Sequence, residues 1–394
     1  MHDLLIQGGT VVDPSQGIHG VYDVAIDKGV IKQISASIAP DQARQIVRVT
    51  GKLVVPGLID LHTHVYDGVN AMSVNPDEVG VYAGVTTVVD AGSAGPGTFG
   101  GFPRYVIPST KTELFCFLNM ARTGFSFIPE IRGPEDIDTQ AILETVEMHR
   151  SHIQGIKFRM VSPGLKVMGV NLPVLAKKTA KEAGLPLMVH IGDTESTDGP
   201  ILIRELLSIL EPGDILTHLF TPQPGGVLDF NGKLLPEVRE AVDRGVIFDT
   251  GHGRFNFSFE VGERILDQGL TPHCISSDIT LPGRAHPVHS MVEMLTRFLA
   301  MGVSLDEVIS MATLRPAQAL NAADRLGNLA PGSQADVSIL DIVEGCWKVQ
   351  DTLGASLPIE QALVPSLTIK RGEVFTPHWG PRLWGWLPND PNNK

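Results

Sequence analysis

The chain has 394 residues, with 31 Lys and Arg against 44 Asp and Glu, for a net charge of -13. That acidity, with no basic cluster, argues against a nucleic-acid partner, and 43% hydrophobic with 19% charged residues is the balance of a globular protein, not a disordered one. The length supports a large core and a smaller one.

The opening segment MHDLLIQGGTVVDP has neither the basic start nor the apolar stretch of a signal peptide, and no run of about 18 apolar residues occurs anywhere in the chain. A cytoplasmic protein without a membrane partner is expected. Three widely spaced cysteines, Cys116, Cys274 and Cys346, contain no CxxC pair and agree with a reducing compartment. The first fifty residues alternate as short strands between turns: DLLIQGGTVVD, YDVAIDKGVIKQISASI, RQIVRVTGKLVV.

From Pro56 the pattern changes to short apolar strands followed by amphipathic stretches. GLIDLHTH, VTTVVDAG, LFCFLNM, IQGIKFR, LPLMVHI, DILTHLF, VIFDTGHG and HCISSDI read as eight strands, with AILETVEMHRSH and LPVLAKKTAKEAG among the helical connections. Eight such units predict an α/β protein built on a (β/α)8 TIM-like barrel, which takes about 250 residues. Residues 57–329 supply them. After LRPAQALNAADRLGNLAPGS the β character returns in ADVSILDIV and SLTIKRGEVF. The economical arrangement is a small β-sandwich domain formed from both chain termini, residues 1–56 with 330–394. The ending GPRLWGWLPNDPNNK is either a frayed tail or packing against a second subunit, and with an exposed sheet edge it makes a homo-oligomer an open expectation.

In such a barrel the chemistry sits at the C-terminal ends of the strands. Read in order, those ends supply His62 and His64, Lys157, His190, His218 and Asp278. His62 and His64 are two apart and so point to the same side of their strand. One histidine at a strand end is ordinarily a hydrogen-bonded structural residue. Six such groups on five strands point to a metal site. Nitrogen and oxygen donors without thiolate suit zinc, and manganese, iron or cobalt less selectively. There are too many for one tetrahedral ion with an open position, so two divalent ions are expected. Lys157 ends a buried apolar strand, where an isolated ammonium costs several kcal/mol. As a neutral amine it can add carbon dioxide, and the resulting carbamate can bridge two cations.

The segments PGLIDLHTH, GIKFR, MVHIG, LTHLF, SSDI and LGNLAPGSQADVSILD together resemble the amidohydrolase superfamily, in its branch with a binuclear centre bridged by a carboxylated lysine. The resemblance covers essentially the whole chain. It implies that His62, His64 and Asp278 hold the more buried ion, that His190 and His218 hold the other, and that Lys157 bridges them as its carbamate. Two cations lower the pKa of a bound water, and Asp278 is the expected catalytic group that accepts its proton and returns it to the leaving group. The reaction expected is hydrolysis of an amide, cyclic amide or ester in a small molecule.

Dihydroorotases of this superfamily usually carry an arginine two residues after the second His of HxH; here that residue is Tyr66. TTVVDAGSAGPGTFGG and FDTGHGRFNF look instead like a deacetylase or D-aminoacylase-like group. The leading expectation is therefore a deacetylase-like hydrolase of N-acyl or O-acyl acids, with a cyclic amidohydrolase such as a dihydroorotase or hydantoinase as the alternative and a non-catalytic scaffold as a third. Three residues are candidate substrate contacts. Arg159 shares the inward face of Lys157 and either pairs with a substrate carboxylate or forms a surface salt bridge. His252, between glycines, either supports a neighbouring group or touches substrate. Arg284 lies on the loop after Asp278, where solvation is the ordinary fate of an arginine.

Overall fold

The computed structural model describes residues 1–195 and 199–378, so the Trp-bearing tail lies outside the described residues. Strands β1 (His2–Asp13), β2 (Ile18–Asp27), β3 (Val30–Ser35), β4 (Ala43–Arg48) and β5 (Leu53–Pro56) come first. They are followed by β6 (Leu58–Thr63), β7 (Val85–Ala91), β8 (Glu113–Asn119), β9 (Ile153–Arg159), β10 (Leu187–His190), β11 (Ile215–Thr217) and β12 (Ile247–Asp249). The chain ends in β13 (Val337–Gln350), β14 (Ser356–Lys370) and β15 (Glu373–Phe375).

β6 to β12 form one parallel sheet in chain order. Parallel strands covered on both faces need apolar side chains on both, and every residue of β6 and β7 is buried. Successive residues alternate between two environments. Val88, Leu118, Ile156 and Val189 pack toward the helices, whereas Val89, Phe117, Met188 and Ile215 join Ile59, Leu61 and Cys274 inside the curl of the sheet. Helices Thr139–Met148 and Asn171–Ala183 occupy two of the predicted amphipathic stretches. The crossovers after β6 and β7 are shorter, with single turns at Pro76–Val79 and Phe102–Val106.

The eighth predicted strand, HCISSDI, is not a regular strand. Cys274 bridges Asp249 on one side and Ile279 bridges Thr63 on the other, so the segment closes the barrel between β12 and β6. Asp278 N donates to His62 O (2.7 Å), and Gly253 N donates to Ser277 O (3.0 Å). A continuous ladder is interrupted because Asp278 takes a left-handed backbone conformation (φ 49°) and the Ser276 and Ser277 hydroxyls turn to buried carboxylates.

Strands from both chain ends share one eight-stranded sheet, in the order β15-β14-β13-β5-β1-β2-β3 with β4 on β1. Where the sequence predicts a sandwich, the hydrogen bonding runs through this single sheet, because β5 pairs with β1 on one side and with β13 on the other. Only Gly57 separates β5 from barrel strand β6. A Cβ there would fall 2.2 Å from Thr86 Oγ1, so the close approach of the two sheets requires glycine. No described helix is long and apolar enough to cross a membrane.

Candidate metal centre

Lys157 lies inside the barrel because its register partner is Met188, an interior residue. Its stem passes Gly92, where a Cβ would meet Lys157 Cγ at 2.8 Å. The amine is fully enclosed, with His62 Nε2 at 3.2 Å and Met188 Sδ at 3.5 Å, and no carboxylate among the described residues is within ion-pair distance. Burial pulls its pKa down to about 8, against the pull of Asp278 and Asp249. A lysine in that state is an available nucleophile.

The histidines converge on the same point, and the partners of His62 and His218 fix their tautomers. Thr217 gives its one hydroxyl proton to Asp249 Oδ2 (2.7 Å), so His62 Nδ1, 2.9 Å from Thr217 Oγ1, must be the donor of that contact. His62 Nε2 therefore presents a lone pair toward the centre, 3.3 Å from Asp278 Oδ1. His64 Nε2 is 3.1 Å from the same oxygen, while its Nδ1 meets Ser93 Oγ at 2.8 Å. His218 Nδ1 donates to Gly251 O, which leaves Nε2 as a lone pair 2.6 Å from His190 Nδ1. Burial holds His62 and His190 well below the ordinary histidine range and His218 at about 4. These are neutral imidazoles, the form a cation binds.

The ligand atoms of His62, His218 and Asp278 lie within 4.8 Å of one another. Neutral nitrogens facing each other, a carboxylate between two imidazoles and an amine without an anion fit divalent cations. His218 and Asp278 both have positive φ, at 75° and 49°, so two of these residues sit in a backbone conformation that L-residues avoid. Beneath the cluster, burial raises Asp249 to about 6 and Asp60 to about 7, against hydrogen bonds from Thr217 and Ser276 to the first and Ser277 to the second.

The six side chains come together. The three candidate substrate contacts do not share one fate. Arg159 lines the cavity over the cluster, which measures about 120 Å³, but its Nε and Nη2 bind both oxygens of buried Glu130 at 2.6 and 2.8 Å. It is neither free nor part of a surface pair. His252 lies outside the cavity lining, stacked on Phe257 at 4.3 Å and held by Arg297. Arg284 is turned to Glu78. Tyr66 is buried, stacked on Phe102 at 4.0 Å with its hydroxyl on Thr98 O, and does not line the cavity either.

Sequence reasoning missed Thr217, Asp249, Ser93 and Glu130, and also Arg254, which lines the cavity beside Arg159. Asp249 was findable, as a charged residue ending an apolar strand like the others. Glu130, in the loop after β8, carried no such signal.

A closed parallel barrel with neutral imidazoles, a carboxylate and a desolvated lysine at one end defines a metal-dependent hydrolase. The sequence comparisons agree on the family. Residues 263–374 match the Amidohydrolase family. The chain is 33% identical over 360 residues to a deacetylase of Brucella anthropi, covering 90% of this chain and 88% of that one. It is 36% identical over 403 residues to a dihydroorotase of Trichlorobacter lovleyi, covering 90% and 93%. Among solved structures, that of an adenine deaminase aligns with a TM-score of 0.87 at 29% identity, covering 95% of this chain and 100% of the other. The chain belongs to the amidohydrolase family and is a metal-dependent amidohydrolase.

Proposed function

We propose that the protein removes an acyl group from a small N-acyl or O-acyl acid, with two zinc ions held by His62, His64, Asp278, His190 and His218 and bridged by Lys157 as its carbamate. The single observation that carries the hydrolytic reading is the convergence of neutral donors around an amine that has no anionic partner. The acyl-acid direction is supported by relatives named deacetylase. It is supported also by Tyr66, whose side chain packs into the core where dihydroorotases carry a substrate-binding arginine.

When bound, the ions supply hydroxide near neutral pH and polarise the acyl carbonyl. Asp278 accepts the proton of the attacking water and passes it to the departing nitrogen or oxygen. Arg159, fixed by Glu130, forms part of the cavity wall and keeps a positive charge near the reacting group. In this reading residues 57–329 are the hydrolase domain, residues 1–56 with 330–394 flank it, and the enzyme acts on cytoplasmic small molecules.

The dihydroorotase relative favours one second reading, ring opening of a cyclic amide. Zinc-loaded, bicarbonate-treated protein assayed on acetylated amino acids and hydroxy acids of both hands, dihydroorotate and a hydantoin separates the two. Turnover confined to the acetylated compounds is the expected result; turnover of the rings alone replaces the first reading with the second. Asp278→Asn, with metal content measured alongside, is expected to lower turnover per bound metal about 10²- to 10⁴-fold, and retained turnover removes Asp278 from its role.

A further inference from the structure

Two guanidinium groups line the cavity, and they differ in one respect. Arg159 commits two of its donors to Glu130. Arg254 has no hydrogen-bond or ion-pair partner among the described residues, although Arg284 and Arg297, on the elements that follow, are both paired.

Arg254 is nevertheless held. The backbone before it is tied to the barrel-closing segment by His252 N to Ser276 O (3.2 Å) and Gly253 N to Ser277 O (3.0 Å). Gly253 has φ +54°, and a Cβ on it would lie 2.2 Å from Asp278 Oδ2, so Arg254 begins beside the Asp278 carboxylate. Its stem runs past Gly283, where a Cβ would meet Arg254 Cγ at 3.2 Å, and its guanidinium carbon sits 5.0 Å from the centre of the Phe255 ring. Gly283 and the Phe255 ring flank the exposed side chain, and among the described residues its donors remain unspent. A planar cation in that condition, at the wall of a cavity, is a receptor for a carboxylate in two-pronged geometry. The rest of the lining includes Met72, Phe125, Ile128 and Phe255, which suit an apolar substituent.

We infer that Arg254 binds the free carboxylate of the substrate, so that the site takes acylated α-amino or α-hydroxy acids with an apolar side chain and rejects their uncharged derivatives. This rests on the acyl-acid reading above and narrows it.

The test has a binding arm and a turnover arm. Metal-loaded wild type and Arg254→Met are titrated calorimetrically with 3-phenyllactate and 3-phenyllactamide of both hands, compounds with no acyl group to lose. Arg254 is exposed, so the variant is expected to fold. Wild type should prefer the acid by at least about tenfold, and the variant should lose that preference with its affinity for the amide unchanged. Equal affinities in wild type, a preference that survives in Arg254→Met, or no binding of either compound overturns the inference. The turnover arm uses N-acetylphenylalanine, O-acetyl-3-phenyllactate and their carboxamides. A carboxylate preference in binding with no turnover of any of them removes the acyl-acid reading above and leaves Arg254 as an anion site. Equal turnover of acids and carboxamides removes the role of Arg254 and leaves the hydrolase reading.

Discussion

Thr217 has one hydroxyl proton, and the Asp249 carboxylate takes it. The result is a chain from Asp249 through Thr217 to His62 that fixes which ring nitrogen of His62 faces the centre. Thr217→Val keeps the shape and removes the link. It is expected to weaken metal binding about 10- to 100-fold with little change in fold, as read by competition with a chelator of known affinity. Unchanged affinity would mean the tautomer is set elsewhere. The same residue shows where the sequence stops being informative about the site. His62, His64, Lys157, His190, His218 and Asp278 stood out because a polar group at the end of an apolar strand is conspicuous. Thr217 did not, since a threonine in a strand is ordinary and its role depends on two residues brought alongside from other strands. Arg254 was passed over for its neighbour His252 because the alternation rule that places side chains on strands has no force in a loop.

At the scale of elements, the loop after β12 and the segment closing the barrel act as a pair. Gly253→Ala places a methyl group against Asp278 Oδ2 at a left-handed backbone position, so something must shift. Turnover is expected to fall at least about tenfold while the melting temperature moves little, because the loop yields before the barrel does. A variant with full activity would show that Asp278 tolerates displacement. A second element-level contact ties the barrel to the terminal sheet. Glu113, at the start of β8, meets Lys370 of β14 at 2.8 Å and is approached by Arg325, Arg371 and Gln334. Burial pushes the Glu113 carboxyl up, but Lys370, Gln334 and Arg325 overrule it and hold it at about 2. A carboxyl depressed on folding contributes stability above its ordinary pKa of 4.5 and loses it as pH falls toward about 2. The contribution near neutrality is on the order of 3 kcal/mol. Glu113→Gln should lower the urea midpoint near neutral pH and flatten the acid side of the stability profile; parallel profiles for the two proteins would remove this contact from the account. The element boundaries also mark the limit of periodicity as a guide. The first seven barrel strands were legible as apolar runs. The eighth was read as a strand, but its serines hydrogen-bond carboxylates that no local pattern reveals.

For the whole molecule, the metal centre draws on five positions around the barrel, so occupancy couples those strands. Chelator-stripped protein is expected to melt at a lower temperature than the metal-loaded form, having lost about 4 kcal/mol of stability relative to protein in metal at a thousandfold its dissociation constant. Calorimetry in the two states decides it, and identical melting would show that the barrel stands without its metal. The overall plan was legible at this scale because strand and helix patterns repeat with barrel spacing. The architecture of the terminal sheet was less so, since pairing of β5 with both β1 and β13 joins residues nearly three hundred positions apart in a register no sequence window contains. That pairing has a consequence for the nascent chain. While the polypeptide is emerging from the ribosome, the edge of β5 that awaits Val337–Leu340 is made early and its partner late. Throughout synthesis of the barrel this apolar edge, Leu53–Pro56, stands open to another copy or to a chaperone. A messenger truncated before codon 337 therefore yields a product in which that edge is never covered by β13, and which is prone to aggregate.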